Sequence, residues 1–226
     1  MIKILHIDAS ARPGLAGIDP HGSVTRRLTA DFVNKWLQKD SNVEIKYRDV
    51  GLKPPSFVNH AWIEAAFSEN PDSEEFKLPL NESNELIDEL DWADLLILGV
   101  PMYNFGIPAN FKAWIDNIVR VGKTVIYDSE DKVHPYKPAY SQKNLPVVLF
   151  SSRGDYGMDE GGPYAYMNYL EPGVKTAFKF IGITDIYNAA VEHQTGNKDL
   201  YELSLQTTLS NNSLIIQEIR KKHFSL

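Results

Sequence analysis

Hydroxyl and basic side chains gather where the first apolar segment of the chain gives way to a predicted helix. Ser10 and Arg12 come first, and Ser23, Val24 and Thr25 stand at the start of the helix. A phosphate group requires hydrogen-bond donors and positive potential, and the dipole at a helix N-terminus favours an anion by about 0.3–2 kcal/mol. The pattern therefore predicts a phosphate-binding loop. The alternative is that Ser23 or Thr25 is only the N-cap of the helix.

A second group of residues begins at Pro101, directly after a continuous apolar segment. Met102, Tyr103 and Phe105 are large and apolar, and Asn104 between them carries an amide. A flavin ring has broad apolar faces and a polar edge of nitrogens and oxygens, so it requires both kinds of contact. The second group is therefore predicted to hold a flat ring. An ordinary structural loop with inward-packed aromatic residues is the alternative.

A third group, Ser152, Arg153, Gly154 and Asp155, follows the apolar segment 146–150. A glycine lets the backbone approach a ligand closely, and an arginine offsets negative charge. Taken alone, the group is more typical of an ordinary glycine-rich turn. The first loop contains neither a GxGxxG nor a Walker-type glycine-lysine pattern, so a dinucleotide fingerprint and a P-loop are both excluded there.

The elements that position these groups are predicted strands that alternate with predicted helices. Apolar segments predict strands at residues 2–7, 95–100 and 146–150, and two further strands are predicted at 43–49 and 184–190. Apolar residues three and four apart predict helices from Thr25 and from Pro108, and further helices are predicted at 61–67, 82–90, 164–180 and 199–222. The rest of 51–80 is predicted to be irregular, and 122–145 is predicted to be a hairpin or a long loop.

This alternation is typical of one α/β domain, here residues 1–226, with a parallel sheet and helices on both faces. In such sheets ligands bind beyond the carboxyl ends of the strands. The three groups follow three such ends, so they are expected to converge on one crevice. Trp92 and Trp114 are expected in the core, and the polar stretch from Ser73 to Glu75 is expected to be a solvated loop.

The composition limits the classes of partner. The chain has 226 residues and a formal net charge of −7, which disfavours nucleic acid and anionic membrane surfaces as partners. It contains no cysteine, so disulfides and thiolate chemistry are excluded. The N-terminal residues lack a signal-peptide pattern, and no segment reaches the roughly 18 apolar residues of a membrane helix. We expect a cytoplasmic protein without a metal site, since the histidines have no carboxylate at ligand spacing.

Three stretches of the sequence carry a family resemblance. The first is the block from Pro101 to Phe105 with Ile107-Pro108, Phe111-Lys112 and Trp114-Ile115-Asp116 after it, the second is Ser152 to Gly154, and the third is 180–185. They resemble signatures of the FMN-dependent NADH-azoreductase and NAD(P)H quinone reductase family. The similarity runs over nearly the whole chain. It implies a flavodoxin-like three-layer sandwich with strand order 2-1-3-4-5. It also implies a homodimer with one FMN in each of two sites at the dimer interface.

The resemblance implies roles for individual residues. The FMN phosphate would be held by Ser10, Ser23, Val24 and Thr25. The flavin ring would be held by Pro101, Met102, Tyr103, Asn104 and Phe105, and its other edge by Ser152, Arg153, Gly154 and Asp155. Tyr127 would lie near the substrate pocket and reach across the dimer.

The resemblance also implies a ping-pong reaction. NADH or NADPH would deliver a hydride to the flavin, and a quinone or an azo compound would then accept two electrons. The flavin carries this chemistry, so no catalytic side chain is required. Asn104 and Tyr127 are expected to position the flavin and the substrate.

Three features depart from the family pattern. The loop between Ser10 and Ser23 is longer than in the shorter family members, and the segment 128–145 is extended. Asp155 stands where glycine is common. A carboxylate beside the flavin disfavours the anionic reduced ring, so Asp155 is predicted to lower the flavin potential.

Two other functions compete with this prediction. A flavodoxin-type electron carrier would share the fold and FMN without turning over a substrate. A hydrolase acting through Ser151 or Ser152 is the second alternative, although the sequence has no G-x-S-x-G elbow and no histidine in an obvious partner position.

Overall fold

Five short segments form the central sheet, in which every pairing is parallel, and its three inner strands are rich in Ile, Leu and Val. The structure, a computed structural model, describes residues 1–71 and 73–225, and Asp72 and Leu226 lie outside the described residues. The strands are β1 (Ile2–Asp8), β2 (Val43–Asp49), β3 (Leu95–Pro101), β4 (Val125–Tyr127), β5 (Tyr136–Pro138), β6 (Val147–Ser152) and β7 (Ile186–Val191). The helices are α1 (Val24–Lys39), α2 (His60–Ala66), α3 (Glu74–Trp92), α4 (Ala109–Ile118), α5 (Glu171–Ile181) and α6 (Lys198–His223).

The strand order of the main sheet is β2-β1-β3-β6-β7. Because β4 and β5 form a separate antiparallel hairpin, this is the order 2-1-3-4-5 of the five parallel strands. The flavodoxin-like architecture predicted by the family resemblance is confirmed, and so is the hairpin within 122–145.

Alternate residues of the inner strands face opposite layers of helices. Leu96 and Leu98 of β3 pack with α3, α4 and α5, whereas Leu95 and Ile97 pack with α1 and α6. This period of two is why the inner strands are apolar throughout: both of their faces are buried. The helices therefore hold the sheet rigidly from both sides and leave its carboxyl edge open for loops.

Helix α1 begins at a capped N-terminus and buries one face. Ser23 is the N-cap, and its hydroxyl accepts a hydrogen bond from the Arg26 N–H at 3.3 Å. Leu28, Phe32 and Trp36 follow at intervals of four and are fully buried. The buried face fixes the helix against the sheet, so its N-terminus stays at the end of β1.

Helix α3 begins earlier than expected. The sequence predicts a helix at 82–90 and irregular chain before it, but the helix starts at Glu74 and includes Pro79. Proline removes the hydrogen bond to the carbonyl of Glu75, and Glu75 is exposed, so water can replace the missing donor. The expectation that Glu74 and Glu75 lie in a loop is therefore wrong: they form the first turn of α3, where acidic side chains favour the helix dipole.

Two other expectations need correction. The segment 164–180 is not one helix: a single 3-10 turn at Ala165–Met167 precedes α5, which starts at Glu171. Trp92 is only partly buried, with the Lys46 ammonium 4.3 Å from its ring centre, whereas Trp114 is fully buried as expected. Within the described residues, every helix is too short or too polar to span a lipid bilayer.

Candidate functional site

A crevice of about 280 Å³ opens at the carboxyl edge of the sheet, between the loops that follow β1, β3, β6 and β7. It is lined by Ser10, Arg12, Ser23, Val24, Pro101, Met102, Tyr103, Ser152, Gly154, Gln194 and Thr195. The three groups of residues found in the sequence thus meet at one place. The expected residues that do not line it are Thr25, Asn104, Phe105, Arg153 and Asp155.

The first loop brings an unsatisfied helix N-terminus to the crevice. The backbone N–H groups of Val24 and Thr25 have no acceptor in the part of the chain that the structure describes. No acidic residue stands in the first turn of α1. Ser23 is the helix cap and lines the crevice at the same time, so the two roles considered for this hydroxyl are compatible. The arrangement is suited to an anion.

Behind the first loop lies a buried arginine. The Arg26 guanidinium makes two hydrogen bonds to the Asp49 carboxylate, at 2.7 and 2.8 Å. It also donates to the carbonyls of Ser10 and Arg12, at 2.8 and 2.9 Å. Arg26 therefore fixes the backbone of the loop from behind, whereas Arg12 is among the residues that line the crevice.

Arg26 and Asp49 stabilise the charged form of each other. Burial alone would lower the pKa of Arg26, but the hydrogen bond to Asp49 and the charge of Asp8 outweigh it and raise that pKa. Burial would raise the pKa of Asp49, yet the bonds from Arg26 hold the pKa of that carboxyl below its usual value. Burial and the charge of Asp8 raise the pKa of the Tyr47 phenol, so it stays a neutral donor. The group keeps its ion pair over the ordinary pH range.

The second loop is a tight turn in a strained conformation. Tyr103 and Gly106 exchange two backbone hydrogen bonds of 3.1 Å, and the central residues Asn104 and Phe105 have φ of +46° and +70°. Positive φ at both central positions is the pattern of a type I′ turn, and it is uncommon for a residue as bulky as phenylalanine. The turn leaves Tyr103, which lines the crevice, 41% exposed and Phe105, which does not, 46% exposed, so two aromatic rings of this turn are open to solvent.

Two contacts hold this turn to its surroundings. The Tyr103 hydroxyl accepts a hydrogen bond of 3.1 Å from the N–H of Ala11 in the first loop. The Phe105 carbonyl accepts one of 2.9 Å from the N–H of Tyr169. The aromatic turn is therefore tied to the phosphate-type loop on one side and to the chain before α5 on the other.

The third loop contributes backbone and a serine, while its arginine side chain turns away. Arg153 is 1% exposed, and its guanidinium binds the carboxylates of Glu171, Asp159 and Glu192. The expectation that Arg153 offsets the charge of a ligand is not met in this arrangement, because three carboxylates already use the guanidinium. Asp155 is exposed, and its carboxylate accepts a hydrogen bond of 2.9 Å from the N–H of Tyr156.

A fourth loop, Glu192 to Asn197 after β7, was missed by the sequence reasoning. Its Gln194 and Thr195 line the crevice. The signal was present: this polar segment also follows the carboxyl end of a predicted strand. It lacks the aromatic and glycine-arginine patterns that drew attention to the second and third loops.

Tyr127 lies away from the crevice. It is on the hairpin, 56% exposed, with its ring 5.5 Å from that of Tyr136. The hydrolase alternative finds no support in the geometry. Ser151 donates to the buried Glu171 carboxylate, and among the described residues no histidine hydrogen-bonds Ser151 or Ser152. A grouping of three or more side chains able to hold a metal ion is absent from residues 1–71 and 73–225.

Comparison with known proteins identifies the family. A family model described as flavodoxin-like fold matches residues 2–207. An FMN-dependent NADH:quinone oxidoreductase 2 from Colwellia psychrerythraea is 39% identical over 223 residues, covering 98% of this chain and 99% of that protein. The chain belongs to this flavodoxin-like family. The family resemblance read from the sequence is confirmed.

Other members of the flavodoxin-like family agree with this result. An FMN-dependent NADH:quinone oxidoreductase from Nostoc sp. is 38% identical over 207 residues, covering 91% of this chain and 93% of that protein. An azoreductase structure from Bacillus anthracis superposes with a TM-score of 0.82 at 21% identity, covering 96% of this chain and all of that one. At that identity the superposition supports the fold of the chain.

Proposed function

We propose that this protein is an FMN-dependent NADH oxidoreductase that reduces quinones, with azo compounds as a second class of acceptor. The observation that carries the proposal is the meeting of a helix N-terminus, an aromatic turn and a glycine-containing loop at one crevice. Relatives that cover nearly the whole chain and are named FMN-dependent NADH:quinone oxidoreductases support the same cofactor, donor and acceptor.

The phosphate end of FMN fits the first loop. The N–H groups of Val24 and Thr25 have no acceptor among the described residues, and Arg12 supplies positive charge beside them. The hydroxyls of Ser10 and Ser23 line the same part of the crevice. These donors would hold the phosphate group without any metal ion.

The ring of FMN fits the remaining walls. Met102 and Tyr103 offer apolar surface, with Asn104 and Phe105 in the adjoining turn. Gly154 also lines the crevice, and the N–H groups of Gly154 and of the next residue, Asp155, have no acceptor within residues 1–71 and 73–225. They suit the polar edge of a flavin. The crevice volume of about 280 Å³ lies near the lower limit of ligand pockets, about 300 Å³, so we expect part of FMN to lie outside it.

When bound, FMN supplies the redox chemistry, accepting a hydride from NADH and passing two electrons to the acceptor. The residues of the chain bind and orient it. The first loop anchors the phosphate, the aromatic turn limits access of water, and the third loop offers N–H donors to the ring edge. Fixed donors of this kind stabilise negative charge without reorganising during the reaction.

A second copy of the chain would complete the site. Aromatic side chains are exposed around the crevice and the hairpin: Tyr103, Phe105, Tyr127, Tyr136, Tyr166 and Tyr169. A group of exposed rings is typical of a surface that another molecule covers. A homodimer would cover the mouth of the crevice and would bring Tyr127 to the substrate of the second copy. We place this dimer in the cytoplasm, which supplies NADH.

The first test is the visible spectrum of the purified protein and the mass of the compound that heat releases from it. We expect a flavin spectrum, release of FMN, and oxidation of NADH when menadione is added. Bound FMN without NADH oxidation would instead indicate an electron carrier. A colourless protein that does not take up added FMN would overturn the proposal.

The dimer is tested separately by sedimentation equilibrium. We expect the mass of two chains. Exchange of Tyr127 and Tyr136 for serine should weaken the association because it removes exposed apolar area. A monomer with full NADH-menadione activity would contradict the proposed role of the second copy.

A further inference from the structure

The fourth loop holds the third loop by a repeated pattern of hydrogen bonds. The backbone N–H and the hydroxyl of Thr195 both donate to the carbonyl of Gly154, at 2.9 and 2.8 Å. The backbone N–H and the side-chain amide of Gln194 both donate to the carbonyl of Arg153, at 3.3 and 3.2 Å. Each of two successive carbonyls is therefore held by one main-chain and one side-chain donor.

Holding a carbonyl also fixes the N–H group of the same peptide unit. No peptide bond among the described residues is cis, and in a planar trans peptide the C=O and the N–H point in opposite directions. The Arg153 carbonyl shares its peptide with the Gly154 N–H, and the Gly154 carbonyl shares its peptide with the Asp155 N–H. Both N–H groups are thus directed away from the fourth loop, and neither has an acceptor in the described part of the chain.

The fourth loop is itself firmly placed. Glu192 pairs with the Arg153 guanidinium at 3.0 Å, and the N–H of His193 donates to the Asp155 carbonyl at 3.2 Å. His193 has a φ of +62°, and its ring stacks on Tyr156 with centres 5.0 Å apart. A left-handed conformation at a residue other than glycine persists where surrounding contacts determine it. The loop is therefore a support rather than a mobile flap.

We propose that Thr195 and Gln194 are positioning residues, which orient the Gly154 and Asp155 N–H groups toward the polar edge of the flavin. This inference rests on the proposed function. Oriented donors favour the form of the ring that carries more negative charge on that edge, which is the reduced form. By fixing the backbone of the third loop, Thr195 and Gln194 should therefore make the protein bind reduced FMN more tightly than oxidised FMN.

The test compares Thr195→Val with Thr195→Ser. Valine keeps the shape of threonine and removes the hydroxyl donor, whereas serine keeps the donor. We measure the dissociation constant of oxidised FMN with apoprotein and the two-electron midpoint potential of the bound flavin. In Thr195→Val, reduced FMN should lose about tenfold more affinity than oxidised FMN, which lowers the potential by about 30 mV. Thr195→Ser should retain the wild-type potential.

Gln194→Met is the second variant, because methionine has a side chain of similar length that lacks the amide donor. It should also lower the potential, and it keeps the inference testable if Thr195→Val does not fold. An unchanged potential in both variants, or an equal loss of affinity for oxidised and reduced FMN, would overturn the positioning role. An equal fall in Thr195→Ser would show that the hydroxyl is not responsible.

The wild-type protein separates this inference from the proposed function. If the wild type binds FMN and oxidises NADH while the variants keep its potential, only the positioning role fails. If the wild type does not bind FMN, the proposed function fails and the positioning role fails with it.

Discussion

Buried arginines stand behind the first and the third loop, and they fasten these loops differently. Arg26 donates directly to two carbonyls of the first loop and pairs with the carboxylates of Asp49, at 2.7 Å, and Asp8, at 3.7 Å. Arg153 instead binds three carboxylates from different parts of the chain, and the fourth loop holds the backbone around it. One arginine shapes a binding loop, and the other joins the elements beneath a binding loop. Stability and ligand affinity should therefore respond differently to their removal.

The largest effect is expected for Arg153→Met. Among the described residues, it leaves the buried Glu171 carboxylate with only the Ser151 hydroxyl as a donor. Removing one partner of a buried ion pair costs about 3–5 kcal/mol of unfolding free energy, which urea denaturation measures. Asp159→Asn is the matched control: the Asp159 side chain is 74% exposed, so the loss should stay below about 1 kcal/mol. Equal unfolding free energies of the two variants would contradict the stabilising role assigned to Arg153.

In the folded state of each variant, Arg26→Met should lower the affinity for FMN more than Arg153→Met does. The carbonyls of Ser10 and Arg12 lose their common donor, so the phosphate loop is no longer fixed. We expect about tenfold weaker FMN binding, or about 1.4 kcal/mol, and a loss of about 2 kcal/mol in unfolding free energy from the hydrogen bonds to Asp49. Fluorescence titration of apoprotein measures the affinity. An unchanged dissociation constant would show that Arg26 does not shape the loop.

The aromatic turn extends the comparison to a loop without a buried arginine. Phe105→Gly should raise the unfolding free energy by about 1 kcal/mol, because glycine adopts the positive φ without the steric cost that an L side chain meets. The same change should reduce activity, since an exposed ring of the turn beside the crevice is lost. Asn104→Gly is the control, because asparagine already tolerates this conformation. A clear loss of stability in Phe105→Gly would mean that the ring contributes more by packing than the turn costs.

The smallest effect is expected for Asp155→Gly. The first turn beside the phosphate loop has no acidic residue, whereas the third loop carries the exposed Asp155. Its carboxylate disfavours extra negative charge on the flavin, so its removal should raise the midpoint potential. Solvent screens an exposed charge, so the rise should stay below the roughly 30 mV of a tenfold change in relative affinity. A redox titration that shows no upward shift would contradict the prediction that Asp155 lowers the flavin potential.

Much of the fold follows from patterns that a sequence displays. The three inner strands were predicted from apolar segments, and the more polar edge strands β2 and β7 were predicted as well. The rule that ligands bind at the carboxyl ends of strands located the crevice. The start of α3 was not predicted, because Pro79 is typical of a helix break, whereas the exposure of Glu75 lets water replace the missing donor. The spacing of apolar residues indicates which face of a helix is buried. It does not indicate whether water can replace a hydrogen bond that a proline removes.

The site was predictable by residue type and less so by direction. Ser10, Ser23 and Met102 line the crevice as expected. Arg153 has the right position and the wrong orientation, because its three carboxylate partners lie up to 39 residues away in sequence. Gln194 and Thr195 were missed for a similar reason: their role appears only when the peptide units that they hold are known.

The hydrogen bonds from Arg26 to the first loop have a consequence for the rate at which FMN binds. Because Arg26 fixes the Ser10 and Arg12 carbonyls within the protein itself, we expect that the first loop, the proposed phosphate-binding loop, needs no rearrangement when FMN binds. Preformed sites lose little conformational entropy on binding, so encounter rather than loop closure should limit the rate of association. The residence time of the flavin would then depend on how rapidly the phosphate leaves the start of α1.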